Sequence, residues 1–472
     1  MAITKEVKQL VDPQDSEKYI YPVTGTACTY DQNGLSVDDL LAMKQHVLTP
    51  GIGINITENT IRVSEVSRYT DTNAGDAEIS FVVGDIIGEI YANSDLSRKD
   101  IYGNMTGSRN TANCYVIKTA GYYCFPLVYG NGIKDGAPNS AAYTSGGGTY
   151  QADFVNYKGN TIISPYIETD TVTQAATAEL MISDEDNIID SIVIRSFGDE
   201  PARFLCFNVL NVPSVGANAV IAIKDSEGNV MWSWHIWLWP QSLETVAITN
   251  NSGNIYNILP VNLASKYDAD GTHIKNWFYQ WGRKDPLLCP ENYNSNTDHI
   301  AFGSTAYGVL PAATVSDTIK NPTMFFTEDV NHNNNWNTLD YFYNFWDASE
   351  TTTGSADKAT VKTVYDPSPV GFKVGNARVF NYFSTTNVIG SFDYGYYFKR
   401  NSTDTTGTFF AASGGRGRKS GGLSNVGSYG FVWSAGSGSA ASAYYLYFSS
   451  GSVYPVNNNN RSNGFSVRSV SE

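Results

Sequence analysis

The sequence is short of positive charge, cysteine and histidine, and each shortage argues against a class of function. Only 16% of its 472 residues are charged, and 31 Lys and Arg against 46 Asp and Glu give a formal net charge of −15. Because phosphate binding requires a basic stripe, nucleic acid is not expected as a partner. The five cysteines are scattered and form no CxxC pair. The sequence therefore predicts neither a disulfide framework nor a zinc site.

The remaining candidates for chemistry are weak. Cys114 and Cys124 either face each other across a hairpin or are two separate buried thiols, and the second alternative is favoured. The five histidines stand in no catalytic motif. The stretch Asp329–Asp340 has oxygen side chains at EF-hand spacing but lacks the Gly and the final Glu that a calcium site requires. The glycine-rich segment Gly414–Gly422 lacks the residue order of a phosphate-binding loop. A surface loop is favoured for each segment. We expect no enzyme activity, no cofactor and no bound metal.

Long apolar runs are also lacking. No window approaches the roughly 18 apolar residues of a membrane helix, so membrane insertion is not expected. The start of the chain is polar and has neither the apolar core of a signal peptide nor a lipobox cysteine. These features predict a protein that is made and kept in a cytoplasm unless it leaves by another route, of which lysis is one.

Aromatic and turn-forming residues are abundant. Of all residues 13% are aromatic, with 31 Tyr, and 42 are Gly, which favours many short strands over helices and predicts a mainly β protein. At roughly 150 residues per domain, about three domains are expected, with boundaries near residues 50 and 250. Residues 1–50 contain a predicted short helix from Ser36, packed either on its own chain, which is favoured, or on symmetry copies. Residues 51–250 predict a β-rich stalk with a β-sandwich, and residues 251–472 a small sheet carrying long loops.

The segment MWSWHIWLW, Met231–Trp239, has large side chains on both faces of a predicted strand. A strand buried on both sides is favoured over a tryptophan-lined sugar groove. His235 is accordingly expected to be a core histidine rather than a ligand. The overlapping KDSEGNVMW predicts a hairpin that turns at Glu227 and Gly228.

Near the end of the chain, AYYLYFSSGSVYP alternates Tyr and Ser with apolar residues, and period two places the two sets on opposite faces of strands. The face expected to be open carries Tyr445, Tyr447, Ser449, Ser452 and Tyr454. The residues expected in the core are Leu446, Phe448, Val453, Phe465 and Val467. Tyr with Ser is typical of binding surfaces, because Tyr gives rigid contact area and Ser gives adaptable hydrogen bonds.

Seven blocks in residues 110–472 resemble one family. They include NTANCYVIKTAGYYCFPLVYGNG, FYQWGRKDPLL, YDPSPVGFKV and YYLYFSSGSVYPVNNNNRSNGFSVRSV, and they are similar, in order, to surface proteins of gut Bacteroidota that end in a FISUMP domain. The resemblance implies an α+β, C-type-lectin-like domain in residues 251–472, a ligand-binding fold shared with formylglycine-generating enzymes and with variable proteins of diversity-generating retroelements. Copper-dependent catalysis does not carry over, because this domain has only Cys289, and Ser368 stands where the family commonly has Cys.

In retroelement-diversified relatives the variable residues lie in the last strands and their loops. Carried over to this sequence, the resemblance implies receptor contact by two sets of five residues. The first set is Tyr429, Phe431, Ala435, Ser437 and Ser439, and the second is Tyr445, Tyr447, Ser449, Ser452 and Tyr454. The second set is the one that the alternation already places on the open face.

The start of the chain resembles a different family. YPVTGTACTYDQNGLSVDDLLAMKQ is similar to the opening of tail and head fibre proteins of phages that infect those bacteria, where it attaches the fibre to the virion. Together the resemblances imply a virion fibre protein of head or tail, a homotrimer that binds a host-surface glycan or protein through its tip and other virion proteins through residues 1–50. The alternative is a secreted bacterial adhesin or fimbria-tip protein of the same family.

Overall fold

The structure, a computed structural model, describes most of the chain after residue 93 and four short strands before it. The described residues are 94–197, 200–303 and 307–472, together with the strand backbones of 10–12, 15–20, 54–57 and 60–63. Two compact units are distinguished, one of Met1–Asp95 with Tyr122–Cys124 and one of Leu96–Gly121 with Phe125–Glu472. The helix predicted at Ser36 and most of the predicted attachment segment lie outside the described residues.

Strands are far more extensive than helices among the described residues, which confirms the predicted mainly β class. In chain order the strands are β1 (Leu10–Asp12), β2 (Asp15–Ile20), β3 (Ile54–Thr57), β4 (Thr60–Val63), β5 (Cys114–Ile117), β6 (Gly121–Pro126), β7 (Ile133–Lys134), β8 (Ala137–Pro138), β9 (Thr177–Ser183), β10 (Ile189–Arg195), β11 (Phe204–Val209), β12 (Ala217–Lys224), β13 (Val230–Leu238), β14 (Val246–Thr249), β15 (Ile255–Ile258), β16 (Ser265–Tyr267), β17 (Ile274–Asn276), β18 (Tyr279–Gln280), β19 (Gly308–Leu310), β20 (Met324–Phe326), β21 (Phe372–Val374), β22 (Val388–Ile389), β23 (Gly395–Phe398), β24 (Thr408–Ala411), β25 (Gly415–Arg416), β26 (Leu423–Ser424), β27 (Tyr429–Ser437), β28 (Ser442–Ser449), β29 (Ser452–Asn460), β30 (Gly464–Val467) and β31 (Ser469–Ser471). The α-helices are α1 (Ile167–Thr171) and α2 (Val315–Lys320), and short 3₁₀ helices span Leu96–Arg98, Ser140–Ala142 and Val330–His332.

These strands form several small sheets. In the first unit β1 pairs with β2 and β3 with β4, each pair antiparallel. The larger sheets elsewhere have the orders β5-β13-β12-β9, β10-β11-β6, β14-β15-β31-β21, β22-β23-β24 and β26-β25-β30-β27-β28-β29. One of them joins β14, before residue 250, to β31 at the end of the sequence. The division at residues 50 and 250, the β-sandwich and the C-type-lectin-like layout stay predictions.

Strand β13 is the two-sided buried strand that the sequence predicts. It lies between antiparallel β12 and parallel β5, and all nine of its residues are buried. Its tryptophans and Trp239 have no more than 1% of their surface exposed, so the alternative of a tryptophan-lined sugar groove is wrong. The predicted hairpin between β12 and β13 is confirmed, with Gly228 at φ 85° in the turn, where a glycine relieves the strain of a positive φ.

His235 is a core residue, as predicted. Its Nε2 lies 2.9 Å from Asn218 Oδ1, and the Tyr279 hydroxyl lies 3.4 Å from its Nδ1. A neutral ring that donates from Nε2 and accepts at Nδ1 satisfies both contacts. Burial lowers the pKa of His235 from 6.5 to about 3.

The largest sheet has one face on the main aromatic core. Val432 of β27 and Leu446 and Phe448 of β28 are buried in this core, and Val453 of β29 is partly buried against it. The expected core residues with less than 5% exposure are Leu446, Phe448, Phe465 and Val467. Alternation therefore identified the inner face of β28 correctly at Leu446 and Phe448, whereas Phe465 is buried on the opposite face of the sheet, against Phe431.

Buried arginines hold irregular segments to this sheet. Arg461 donates to the carbonyl of Phe342 at 3.1 Å, which belongs to a long segment without regular structure. It also donates to the carbonyls of Ser439 at 2.7 Å and Ser442 at 3.2 Å, which flank the turn between β27 and β28. Its guanidinium carbon lies 4.4 Å from the centre of the Trp281 ring. Burial lowers the pKa of Arg461 from 12.5 to about 9.

Arg468, which follows β30, makes the same kind of contact. It donates to the carbonyls of Leu259 and Pro260 at 3.1 and 2.9 Å, and to that of Phe409 at 3.0 Å. Its guanidinium carbon lies 3.9 Å from the centre of the Phe410 ring. In the described part of the chain no carboxylate forms an ion pair with this arginine, so carbonyl oxygens and an aromatic face solvate the buried cation.

We predict that Arg461→Met destabilises the protein by about 3 kcal/mol or more, because it leaves several buried carbonyls without a donor. Denaturant-induced unfolding of the purified full chain measures the change. Arg378→Met is the matched control, since Arg378 is exposed and its substitution should change the unfolding free energy by less than about 0.5 kcal/mol. Equal effects of the two substitutions would contradict this role of Arg461.

The buried neutral His235 predicts acid sensitivity. Its folded-state pKa lies below its unfolded value of 6.5, so its contribution is complete above pH 6.5 and is lost as the pH falls toward 3. Relative to His235→Gln, the wild-type protein should lose about 1.4 kcal/mol of unfolding free energy per pH unit below about pH 6. Unfolding curves of both proteins between neutral pH and about pH 4 test this. A difference that does not vary with pH would refute it.

Candidate binding site: a tyrosine face

The other face of the largest sheet carries aromatic rings that reach the surface. Tyr447 of β28 lies between Tyr454 of β29, in a stacked pair 5.6 Å apart, and Tyr429 of β27, edge-on at 5.6 Å. The buried Phe431 lies 5.7 Å from Tyr447. Tyr454 is 55% exposed and Tyr429 37%. We refer to these four residues as the tyrosine face.

A β-bulge in strand β29, at the edge of the sheet, aligns this face. Tyr445 of β28 pairs with Asn457 of β29, and Tyr447 pairs with Tyr454. Two residues of β28 therefore lie opposite three residues of β29. The extra residue falls in the stretch Pro455–Val456, and it interrupts the alternation of side chains. Residues three apart on a regular strand point to opposite faces, so the bulge is what brings Tyr454 and Asn457 to the same one.

The tyrosine face rests on a buried aromatic stack. The ring of Tyr445 lies 5.8 Å from Trp433 and 5.3 Å from Phe465. Asn457 donates from Nδ2 to the Tyr445 hydroxyl at 3.2 Å, and burial raises the pKa of Tyr445. Trp433 donates from Nε1 to the carbonyl of Tyr279 at 3.0 Å. These contacts fix the inner rings and give the exposed rings a rigid base.

The ten residues predicted to contact a receptor divide by exposure. Those with solvent-exposed surface are Tyr429, Ser439, Tyr447, Ser449, Ser452 and Tyr454. Those that are buried are Phe431, Ala435, Ser437 and Tyr445, and an open position for these four is wrong. Pairing of Tyr429 with Ser449 and of Ser449 with Ser452 brings the exposed residues together at one end of the strands, whereas Ser439 follows the opposite end of β27.

The errors have physical causes that the sequence pattern does not reveal. Strand β27 is buried on both faces from Gly430 to Ser437, and Phe431 stacks on Phe465 at 4.6 Å, so period two does not mark an open face there. The hydroxyl of Ser437 also accepts a hydrogen bond from buried Arg461. Tyr445 is on the predicted face, but the neighbouring rings of the inner stack cover it.

Sequence reasoning missed one signal of this site. Residues 420–460 contain no Asp, Glu, Lys, Arg or His, whereas 16% of the whole chain is charged. All three strands that carry the tyrosine face lie inside this segment. The polar groups that they display are hydroxyls and amides, among them Ser449, Ser452 and Asn457, each of which is partly exposed.

Among the described residues, one cluster could hold a metal ion. Asp268, Asp270 and His273, in the turn between β16 and β17, have ligand atoms within 4.8 Å of one another. Asp268 accepts the His273 N–H at 3.2 Å, and Asp270 accepts the Thr272 N–H at 2.8 Å. Burial raises the pKa of Asp268. One oxygen of each aspartate is therefore already engaged by the turn itself.

The other motifs considered from the sequence have structural roles. Asp329 caps a 3₁₀ helix by accepting the Asn331 N–H at 2.8 Å, and its second oxygen lies 2.7 Å from His332 Nδ1. Segment Gly414–Gly422 contains β25, and its Arg416 is 1% exposed, so a surface loop is wrong for that residue. Cys114 and Cys124 are both buried and are not joined by a disulfide, which confirms the favoured alternative for this pair.

A buried polar trio was not foreseen. Lys284 Nζ donates to Ser233 Oγ at 2.5 Å and to Asp285 Oδ1 at 2.7 Å, and Ser233 Oγ donates to the same carboxylate at 2.6 Å. Burial lowers the pKa of Lys284 to about 8. A serine beside a lysine of lowered pKa has the elements of a nucleophile, but each of the three is at most 4% exposed, and a substrate cannot reach them.

Comparisons with protein-family models, curated proteins and solved structures found no match to this chain. In the part of the chain that the structure describes, no helix has the length and apolar character needed to cross a membrane.

We predict stability effects of different size at two tyrosines of β28 and β29. Tyr445→Ala should destabilise the protein by about 3–5 kcal/mol, because it opens a cavity in the buried stack. Tyr454→Ala should lower the free energy of unfolding by less than about 1 kcal/mol, which is the contribution of one cross-strand pair at an exposed edge. Chemical denaturation of both variants measures this, and a Tyr454→Ala loss as large as that of Tyr445→Ala would place Tyr454 in the core.

Proposed function

We propose that this protein is a receptor-binding fibre protein of a virion, and that the tyrosine face binds the surface of a bacterial host cell. The observation that carries the binding role is the exposed ring group of Tyr429, Tyr447 and Tyr454 at one end of a rigid sheet. Exposed tyrosines contribute little to folding here, whereas binding sites favour Tyr because its ring gives large contact area at a small entropic cost.

The fibre role is supported by the resemblance of the N-terminal segment to phage fibre proteins. That segment lies almost wholly outside the described residues. A homotrimer in which each chain presents one tyrosine face would multiply weak contacts into strong attachment. Because such avidity masks single substitutions, the binding test needs several changes at once.

The test uses the purified full chain, labelled with a fluorophore, on a panel of Bacteroidota strains. The triple variant Tyr429→Ala, Tyr447→Ala and Tyr454→Ala should lower attachment by more than about tenfold, because several central aromatic contacts are lost together. Its far-ultraviolet circular dichroism and unfolding midpoint should stay close to those of the wild-type protein.

A matched control removes three other exposed tyrosines, Tyr102, Tyr341 and Tyr397, whose exposures of 39%, 45% and 50% are similar. The control should keep wild-type attachment. Unchanged attachment of the first triple variant, equal losses in both, or attachment to no strain would overturn the binding role. Immunogold electron microscopy of a phage lysate tests the fibre role, and label on cell envelopes instead of particles would favour the bacterial adhesin.

A further inference from the structure

We propose that the ligand of the tyrosine face is a neutral polysaccharide of the host cell surface. This inference rests on the proposed function and specifies the chemistry of the partner. It depends on three properties of the strands that form the face: their lack of charge, the blunted edge of β29 and the kinds of polar group they display.

The strands of the face carry no formal charge. Strands β27, β28 and β29, of nine, eight and nine residues, contain no acidic or basic side chain and no histidine. Recognition of an acidic polysaccharide or of a charged protein surface uses Lys, Arg, Asp or Glu, because complementary charges provide specificity and fast association. A charge-free face fits a ligand that is itself uncharged.

The edge of the sheet is unsuited to a partner strand. β29 is the last strand of the sheet, so one row of its backbone groups has no strand partner. Pro455 supplies no N–H, and the bulge beside it twists the strand; both features are known protections against strand addition. A protein segment or a second copy of this chain that binds by extending the sheet is therefore disfavoured, and the ring face remains for the ligand.

The exposed groups match the two sides of a sugar ring. The faces and edges of Tyr447 and Tyr454 can contact the C–H face of a pyranose, as aromatic rings commonly do in amphipathic recognition. The hydroxyls of Ser449 and Ser452 and the tyrosine hydroxyls supply donors and acceptors for sugar hydroxyls. The Asn457 amide is partly engaged by Tyr445, which orients it toward the same face.

Chemical treatment of the cells tests the ligand class. Strains that bind the wild-type protein are treated in parallel with mild periodate, which cleaves vicinal diols of sugars, or with a broad protease. Periodate should lower attachment by more than about tenfold, and protease should leave it unchanged, because the contacts are made to saccharide. Attachment should also vary by less than about twofold between about 50 and about 500 mM NaCl, since no charged pair is formed.

A pair of variants tests the ring contact. Tyr447→Phe with Tyr454→Phe keeps both rings and should keep attachment within about threefold, whereas Tyr447→Leu with Tyr454→Leu keeps only apolar volume and should lose more than about fivefold of the attachment. Soluble dextran and yeast mannan serve as neutral competitors, and polygalacturonate and heparin as acidic ones. Competition by a neutral polymer supports the inference.

Retention of attachment after periodate, its loss after protease, a steep fall with salt, or competition only by the acidic polymers would overturn the neutral saccharide. So would equal attachment of the Phe and Leu variants. None of these outcomes would affect the proposed function, which depends on whether the triple alanine variant stops binding. The two failures are therefore distinguishable.

Discussion

Buried guanidinium groups that donate to main-chain carbonyls are the interaction on which this structure depends. Long segments without regular structure have carbonyl groups that no sheet partner satisfies, and a buried carbonyl without a donor is costly. Arg461 and Arg468 each supply several donors from one side chain, and aromatic rings lie against both cations. The price of burying a cation is offset by these contacts rather than by a carboxylate. Each arginine thus joins loops to strands that would otherwise be separate.

The buried arginines and the aromatic core together leave one end of one face of the sheet open for binding. Arg461 fixes the end of the sheet where β27 turns into β28, and the aromatic core fixes one of its faces. Close packing between β27 and β28 leaves no room for a side chain at Gly430, whose Cβ would lie 1.9 Å from the Phe448 ring. The end that carries the tyrosine face is thereby rigid without help from the exposed rings. A rigid face loses little conformational entropy when it binds a ligand.

The sequence predicts the parts of this architecture that follow from local periodicity. Strand alternation predicts Leu446 and Phe448 in the core, the hairpin at Gly228 and the two-sided burial of β13, because each depends only on neighbouring residues. It does not predict the bulge in β29 or the burial of both faces of β27, Ala435 included, because both depend on segments that are distant in the sequence. Nor does it predict that Arg461 is buried, since its carbonyl partners are distant in sequence. The charge-free segment 420–460 was readable in advance and is the sequence signal that best marks the face.

Buried side chains stabilise the sheet and exposed ones form the binding face, so only some residues of these strands can be substituted without loss of stability. If the C-terminal strands are diversified, as they are in retroelement-diversified proteins of the family that the sequence resembles, the residues free to vary are those whose side chains support nothing else. Tyr429, Tyr447 and Tyr454 meet this condition, since their rings are exposed or half-exposed at one end of the sheet. Ser437 does not, because a larger side chain would displace Arg461 and leave buried carbonyls without donors. Arg461 therefore limits the positions in these strands at which a larger side chain can be accepted.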